Sequence, residues 1–398
     1  MVVKIDDGEL GRMLLTLRGF QWVYGVKDDP YALLLRAAED DPQMLGREVR
    51  RRGALYRSVA DAWVTADHTV AERLLADPRM SHRRMRPVPA ELVLPDDPMP
   101  WDVPPLDDVL PLDRARLDLP RADYEALRGL VRPAGTDGPA EEAWRRALDG
   151  RAGPFDLLAD VAHPLAAAGV AELIGLPAGS RPRFEVLARD TRMALDAVLC
   201  PPRLETALAL TAAIERIEEL VRPLPLDTTA AVLLAVLGVS VTADLVCGVV
   251  DALLEHPRQY GLLRKDPGLA AQAVEEGLRH SPPVRLLRLI AQEAAGIEGC
   301  PVGAGESVVV LVEAANKDPR VWTDPGRYDL SRTDSARHLT FGAGTPASVV
   351  EPAARAHAVA AVTAIASMPT ELRRAGVPRR RPRSPVTRGL LGLPVTMS

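Results

Sequence analysis

The residues that could support chemistry lie mostly in the last third of this chain. Glu276 and Arg279 are three positions apart, so their side chains share one face of a helix and can pair. Further along, Phe341 and Gly344 bound a glycine-bent loop that runs into a predicted helix, with Ser348 near its start. A glutamate–arginine pair at this spacing is most often a surface ion pair. The two features therefore gain meaning only from the residues around them.

The segments around these two features follow a recognisable order. After Arg279 come a Ser-Pro-Pro-Val turn, a predicted strand pair around residues 299–310, and then Asn316, Asp318, Pro319, Trp322, Pro325, Tyr328 and Arg332. This order resembles that of the cytochrome P-450 family, the haem-thiolate monooxygenases. In that family the arginine at the position of Arg332 bridges to the ExxR pair, which Glu276 and Arg279 match. The loop resembles the family's haem-binding loop, F-x-x-G-x-[HR]-x-C-x-G, with Phe341, Gly344, Ala354 and Arg355 in register.

The resemblance covers nearly the whole chain and implies its fold. We expect a mainly α fold with small β-sheets, P-450-like but without the haem-thiolate ligand, in a single domain over residues 1–398. Expected elements include a helix from Glu9 to Phe20 that ends at Gly19, a hairpin over Ala54–Thr65, and a long central helix over Thr228–His256. The proline-rich stretch from Pro87 to Pro111 indicates a surface loop.

The positions that serve redox chemistry in the family are changed here. Ser348 replaces the cysteine ligand, Pro346 replaces the residue that holds a haem propionate, and Val350 replaces the glycine beside the iron. In the helix that grips the propionates, Arg128 matches but Tyr124 replaces a histidine. In the central helix the acid of the proton relay becomes Ser240 and the threonine becomes Val241, while Asp244 lies one turn further on.

The positions that build the family's scaffold are kept: Glu276, Arg279, Asn316, Asp318, Pro319, Arg332, Phe341 and Gly344. A thiolate donates electron density to iron, which a neutral serine hydroxyl does poorly. Because the ligand and propionate contacts are lost together, we predict no bound haem, no other cofactor and no metal. Random decay would not respect the boundary between scaffold and redox positions, so the pattern indicates a fold that is used without its oxidation.

One branch of the family matches this description. These are haem-free, P-450-like helper proteins of actinomycetes, which bind and activate glycosyltransferases that transfer nucleotide-activated deoxysugars to antibiotic aglycones. The opening segment LRGFQWVYG…DPYALLLRA is similar to that group's. The resemblance implies a non-catalytic partner of a glycosyltransferase. Two alternatives remain open: an unusual haem protein with Ser348 or water as ligand, and a cofactor-free protein that binds a small ligand or recruits another enzyme.

The N-terminal segment, residues 1–53, is the candidate partner surface. Phe20, Trp22 and Tyr24 concentrate aromatic rings in a chain that is only 4% aromatic. Large aromatic residues often anchor interfaces, and in an extended stretch a period of two would place all three on one side. The alternative is that these rings pack inward as core.

Composition excludes several other classes of function. The 398 residues carry a net charge of −5, whereas a nucleic-acid-binding surface needs a basic excess. The three cysteines, Cys200, Cys247 and Cys300, are far apart and lack metal-binding spacing, as suits a reducing compartment. The acidic N-terminus does not resemble a signal peptide, and we expect no apolar run long enough to span a membrane. These features predict a cytoplasmic protein.

Overall fold

The computed structural model describes residues 2–3, 6–38, 41–86, 92–93, 99, 101–132, 138–151 and 153–397. Helices dominate the described chain, which confirms the predicted fold class. The α-helices are α1 (Asp7–Gly25), α2 (Pro30–Arg36), α3 (Pro42–Arg51), α4 (His68–Ala76), α5 (Leu106–Val109), α6 (Arg121–Leu130), α7 (Pro139–Leu148), α8 (His163–Leu173), α9 (Arg181–Asp190), α10 (Ala194–Ala197), α11 (Leu204–Val221), α12 (Thr228–Leu233), α13 (Val239–Glu255), α14 (Pro257–Lys265), α15 (Ala270–His280), α16 (Val312–Ala315) and α17 (Pro346–Ser367).

Short strands form small sheets at the edges of the helical body. They are β1 (Val2–Val3), β2 (Tyr56–Ser58), β3 (Ala62–Thr65), β4 (Met80–Ser81), β5 (Leu92–Val93), β6 (Phe155–Asp156), β7 (Leu286–Ala291), β8 (Ala295–Ile297), β9 (Cys300–Val302), β10 (Ser307–Leu311), β11 (Leu372–Arg374), β12 (Arg379–Arg380), β13 (Leu390–Gly392) and β14 (Pro394–Met397). The largest described sheet has the order β2-β3-β10-β7-β4. Its β10 runs parallel to β3 and antiparallel to β7, so the sheet joins the N-terminal hairpin to the C-terminal half of the chain.

The central helix forms as predicted but carries a bulge. A π-helical turn, Leu234–Gly238, links α12 to α13. Such turns insert one extra residue into an α-helix and are frequent at functional sites. Four of the six residues of α12 and all five of the π turn are buried, because these two segments pack against α8, α11 and α17.

The expectation about membrane spans was wrong in its literal form. The segments Thr228–Glu255 and Pro346–Ser367 are both long and apolar enough to cross a membrane by length and composition. Thr228–Glu255 is 83% buried inside the fold and Pro346–Ser367 is 56% buried. The core helix of a globular protein passes the same test, so this is weak evidence for a membrane segment.

The N-terminal half contains one confirmed element and two corrections. The hairpin lies where the alternating pattern placed it, with Tyr56 opposite Val64 and Ser58 opposite Ala62. The first helix does not end at Gly19 but continues to Gly25, because Gly19 is tolerated on an open face of the helix. Within the stretch predicted to be a loop, Leu106–Val109 is helical. Residues 87–91, 94–98 and 100 of that stretch lie outside the described residues.

Candidate functional site

The Glu276–Arg279 pair is the centre of a buried network. Both side chains are 0% exposed, and Arg279 Nη2 and Nε donate to the two oxygens of Glu276 at 2.7 and 2.8 Å. Glu276 also accepts from the Asp329 backbone N–H at 3.0 Å and from Ser335 Oγ at 2.9 Å. Arg332 Nε lies 3.5 Å from Glu276 Oε1. The structure thus brings three of the sequence-predicted scaffold residues together, and the pair is not a surface ion pair.

The guanidinium of Arg279 also holds the chain that leads to the loop. It donates to the backbone carbonyls of Asn316, Pro325 and Arg327 at 3.1, 2.8 and 2.9 Å. The Trp322 ring lies 5.4 Å from its Cζ, within cation–π range. A buried charge tolerates the interior only when its hydrogen-bonding groups are satisfied. Arg279 therefore fixes the path of the segment between α16 and the glycine-bent loop.

Asn316 and Asp318 extend the network toward the loop. Asn316 Oδ1 accepts from the Leu339 backbone N–H at 2.8 Å, and its Nδ2 donates to Thr340 Oγ1 at 3.1 Å. Asp318 accepts from the backbone N–H of His68 at 3.2 Å, which ties the start of α4 to this segment. The predicted scaffold residues therefore form one connected frame under the loop.

The loop itself keeps its glycine-bent shape. Phe341 has φ +62° and Gly344 has φ +70°, both in the left-handed region. A side chain at Gly344 would collide with the Arg121 side chain, which lies across the loop and donates to Glu125 at 2.9 Å. Leu75 packs over Gly342, where an added Cβ would lie 3.0 Å from its Cδ1. Side chains of α4 and α6 therefore cover the loop.

Ser348 is occupied within its own helix. Thr345 caps α17, and its Oγ1 accepts from the Ser348 backbone N–H at 3.2 Å. The Ser348 Oγ donates to the Thr345 carbonyl at 2.6 Å and the residue is fully buried. A neutral hydroxyl in such a bond has no charge to offer a metal ion. Val350, also fully buried, adds a side chain where the family's glycine has none.

The propionate positions are engaged elsewhere. Tyr124 is buried, and its hydroxyl donates to the Arg116 carbonyl at 2.8 Å and accepts from the Leu119 N–H at 3.0 Å. Arg128 is half exposed and pairs with Glu351 of α17 at 2.9 Å. Pro346, at the first position of α17, has no N–H and no polar side chain to offer.

The relay positions of the central helix also differ from the family pattern. Ser240 Oγ donates to the Leu237 carbonyl at 3.2 Å, and Val241 is buried. Asp244 pairs with Arg381 of the C-terminal hairpin at 2.6 Å. Gly238 faces α8, where an added Cβ would lie 3.0 Å from Val170 Cγ2. The nearby carboxylate is therefore committed to a structural ion pair.

These residues do not fit a haem-thiolate centre. The ligand position offers a neutral hydroxyl bonded to its own helix, and the propionate positions offer a proline and two side chains bound to protein groups. His82 lies beside Tyr124, with ring centroids 5.8 Å apart. Burial, with the charges of Arg288 and Arg121, lowers the pKa of His82 to about 3, so its ring is neutral.

The aromatic trio near the N-terminus is separated rather than gathered on one side. Because the stretch is helical and not extended, Phe20 and Tyr24 share one face and stack with centroids 6.5 Å apart. Trp22 lies on a different face, is 55% exposed, and has the Arg36 guanidinium 4.6 Å from its ring centre. The prediction of a common face was therefore wrong for Trp22.

Sequence reasoning missed the companions of Trp22. An exposed apolar stripe runs along α1 and just beyond it, at helical spacing; it consists of Leu15, Gly19, Trp22, Val23 and Val26. We call this the α1 stripe. The helix predicted from Leu10, Met13, Leu14 and Leu17 can be continued past Gly19 with the same 3.6-residue period. The residues of the α1 stripe then fall on a second, outward apolar face.

Comparison with known proteins gives consistent matches. The Cytochrome P450 family model matches residues 265–347. Protein AknT of Streptomyces galilaeus is 40% identical, covering 98% of this chain and 96% of its own length. The cytochrome P450 family protein EryCII of Saccharopolyspora erythraea is 33% identical, covering 98% and 99%. Among solved structures, P450BioI in complex with an acyl carrier protein that carries hexadec-9Z-enoic acid is 26% identical, with a TM-score of 0.72 over 90% of this chain and 98% of its own.

Proposed function

The chain belongs to the cytochrome P450 family, and on that premise we propose that it is a non-catalytic auxiliary protein. In this proposal it binds, stabilises and activates a glycosyltransferase that transfers a nucleotide-activated deoxysugar to an antibiotic aglycone. It does so as a single cytoplasmic domain without haem, in which residues 1–53 carry the partner surface. The similarity to the P-450-like helper group, which the opening segment indicated, supports this role.

The observation that carries the proposal is the contrast within one fold. The frame around Glu276 and Arg279 is complete and buried, whereas Ser348, Tyr124 and Arg128 are each bonded to protein groups. A protein kept for monooxygenation needs both the frame and the haem-binding positions, because the thiolate supports O–O cleavage. A protein kept for its shape needs only the frame. The contrast therefore favours a role in association over a role in oxidation.

The α1 stripe is the surface that we assign to the partner. Contiguous exposed apolar residues mark interaction sites more often than scattered ones do. Trp22 at its centre has the residue type that most often dominates interfaces. The helix beneath is held on the body, since Arg18 Nη2 and Gln21 Nε2 donate to the carbonyls of Pro201 and Leu199 at 2.9 and 2.6 Å. A rigid helix of this kind loses little conformational freedom on binding.

The test is Trp22→Ala in a glycosyltransferase complex reconstituted from the neighbouring gene's product. We expect the complex to weaken by at least about 2 kcal/mol, with sugar transfer reduced at limiting auxiliary protein. The melting temperature of the isolated protein should barely change, because Trp22 is 55% exposed and its cation–π contact with Arg36 lies at the surface.

Leu262→Ala is the matched control. Leu262 is 48% exposed on α14 and lies outside the α1 stripe. It should leave complex formation unchanged. If Trp22→Ala lowers the melting temperature sharply while the remaining folded protein still supports transfer, Trp22 is a structural residue and the partner binds elsewhere.

A further inference from the structure

A large open cleft lies away from the degenerate haem loop. It measures about 920 Å³ and lies between α2 and α3 on one side and the ends of β7 and β10 and the turn between β12 and β13 on the other. That volume is within the usual range for small-molecule sites. Neither Ser348, Tyr124 nor any residue of the loop from Phe341 to Gly344 lines it. The cleft is therefore distinct from the degenerate haem loop, although Asp318 and Pro319 of the frame lie in its lining.

The charges lining the cleft are unbalanced. Nine basic residues line it: Arg47, Arg50, Arg51, Arg285, Lys317, Arg320, Arg380, Arg381 and Arg388. Only two described lining residues are acidic, Glu313 and Asp318. The described lining therefore has seven more basic than acidic residues, in a chain whose net charge is −5. A concave surface of one sign concentrates ions of the opposite sign.

Part of that surplus is neutralised by carboxylates, but part is not. Arg51 pairs with Glu48, and Arg320 pairs with both Asp67 and Asp318. Arg380 pairs with Asp251, and Arg381 pairs with Asp244. Of the remaining cations, Arg285 and Lys317 pair with Glu313, Lys317 at 2.9 Å. Burial alone would raise the pKa of Glu313, but these two cations outweigh it and hold that pKa below its usual range. One carboxylate therefore serves several neighbouring cations.

Two groups in this cluster retain donors for a ligand. Arg285 is 9% exposed and lines the cleft, and of its guanidinium nitrogens only Nη1 has a hydrogen-bond partner, Glu313, in the described part of the chain. The Arg388 guanidinium forms no hydrogen bond or ion pair with any described residue, and burial together with the charge of Arg285 lowers its pKa. Buried cations are normally paired. An unpartnered donor beside an unpaired guanidinium is the arrangement that an anion would complete.

The cleft also has an aliphatic lining, which we call the leucine wall and to which both of its sides contribute. It is formed by Leu33, Leu34, Ala37, Leu45, Leu286 and Leu311. Such a wall shields an apolar group from water, whereas free phosphate would use only the cationic side. The ligand should therefore carry both a multiply charged group and an apolar body.

We propose that this cleft binds an organic diphosphate ester, with the diphosphate held by Arg285, Lys317 and Arg388 and the organic part against the leucine wall. Arginine forks match the geometry of phosphate oxygens and form strong, charge-assisted hydrogen bonds. A nucleoside diphosphate and a prenyl diphosphate share this chemistry. The proposal does not depend on the glycosyltransferase partnership, since it concerns the isolated chain.

Calorimetric titration of the full chain tests the proposal with three probes: inorganic pyrophosphate, uridine diphosphate and farnesyl diphosphate. We expect at least one ester to bind more tightly than pyrophosphate, and pyrophosphate to compete with it. Arg388→Gln should weaken ester binding about tenfold or more, which is the effect of losing one strong charge-assisted contact. Affinity should also fall as salt is raised. The stronger ester identifies the source of the ligand.

Arg189→Gln is the control, because Arg189 pairs with Glu185 on the surface of α9 and lies outside the cleft. It should bind like the unmodified chain. Arg47→Gln, on the exposed surface of α3, is a second cleft variant for the case that Arg388→Gln folds poorly. It should also weaken binding, because it removes one of the cations that line the cleft. Absence of ester binding, equal affinity for pyrophosphate and esters, or affinity unchanged in both cleft variants would overturn the proposal. Binding of an acidic peptide instead of any diphosphate would also overturn it, in favour of a protein ligand.

Discussion

Two neighbouring regions of this molecule differ in how many of the family's side chains they keep. The frame on α15 and the segment after α16 keeps each polar group of the ExxR pair bonded, with both side chains 0% exposed. The loop before α17 keeps the backbone bend at Phe341 and Gly344, yet the Ser348 hydroxyl donates to the Thr345 carbonyl of its own helix turn. Side chains that fold the chain are retained, and side chains that would serve only a cofactor are replaced.

The difference has a physical cause. Removing one partner of a buried ion pair leaves an uncompensated charge in the interior, which destabilises the fold whatever the protein does. A cysteine ligand or a propionate anchor is not needed for folding in this way, since a serine or proline can take its place within a helix turn. Selection for stability alone therefore preserves the first region, while the second can change once oxidation is not required.

The largest expected effect comes from breaking the frame. Glu276→Ala removes the acceptor for Arg279, for the Asp329 N–H and for Ser335 Oγ. We expect a loss of about 3–5 kcal/mol in the free energy of unfolding, because Arg279 stays buried without its counter-charge. Arg279→Ala should cost a similar amount. Denaturant unfolding followed by circular dichroism measures both.

Glu185→Ala gives the surface comparison. Its pair with Arg189 spans one turn of α9 at 2.8 Å and both side chains are solvent-accessible. Exposed pairs of this kind contribute about 0.3–0.5 kcal/mol. Unfolding curves of Glu276→Ala that match those of Glu185→Ala would show that the frame has no special energetic weight.

Acid should weaken the frame by a smaller amount. His280 is buried next to Arg279, and its ring nitrogens lie 2.9 Å from Ser281 Oγ and 3.1 Å from the Gly326 carbonyl. Burial, aided by the charges of Lys317 and Arg279, lowers the pKa of His280 to about 3. The unfolded chain binds a proton near pH 6.5, so this stability is fully present above that pH. It is lost as pH falls from 6.5 toward 3.

Between pH 6.5 and 5.5 the loss from His280 should reach about 1.0 kcal/mol. His280→Gln keeps a donor and an acceptor but cannot titrate, so its unfolding free energy should depend less steeply on pH, by one proton. Other buried histidines, among them His82, His163, His338 and His357, have lowered pKa values and steepen both curves equally. Identical pH slopes for the two proteins would mean that His280 is protonated in the fold.

The sequence predicted the frame better than the surfaces. The order of ExxR, the Asn-x-Asp-Pro segment and the glycine-bent loop was sufficient to identify the fold, because each motif performs a backbone task that fixes its spacing. The α1 stripe was misjudged, since three aromatic residues at a period of two favoured an extended stretch and Gly19 looked like a helix end. Tertiary contacts of Arg18 and Gln21 with the segment before α11 keep the helix going to Gly25.

The cleft was not predicted at all. Its cations come from α3, from the segment after α15, from the turn after α16, and from the C-terminal hairpin, and are therefore far apart in sequence. In the fold, Arg381 is buried and paired with Asp244, and Arg380 lines the cleft. Charge surplus of this kind arises only when distant segments meet, so no local pattern could reveal it.

The smallest expected effect is at the degenerate loop, where restoring the ligand alone should change nothing. Purified protein, expressed with a haem precursor, should show no Soret absorbance. Ser348→Cys should likewise form no stable haem–CO complex, because Pro346 and Val350 remain and Tyr124 stays bonded to the Arg116 carbonyl. The thiol would also still begin a helix turn capped by Thr345.

An absorbance scan with and without carbon monoxide measures this outcome for both proteins. Circular dichroism should show that Ser348→Cys is folded, since a thiol is close to a hydroxyl in size. A stoichiometric Soret band in the unmodified protein would overturn the proposal that it works without haem. A band that appears only with Ser348→Cys would mean that the pocket around the iron is intact. The losses at Pro346, Val350 and Tyr124 would then be incidental, and the contrast between the two regions would reduce to a single residue.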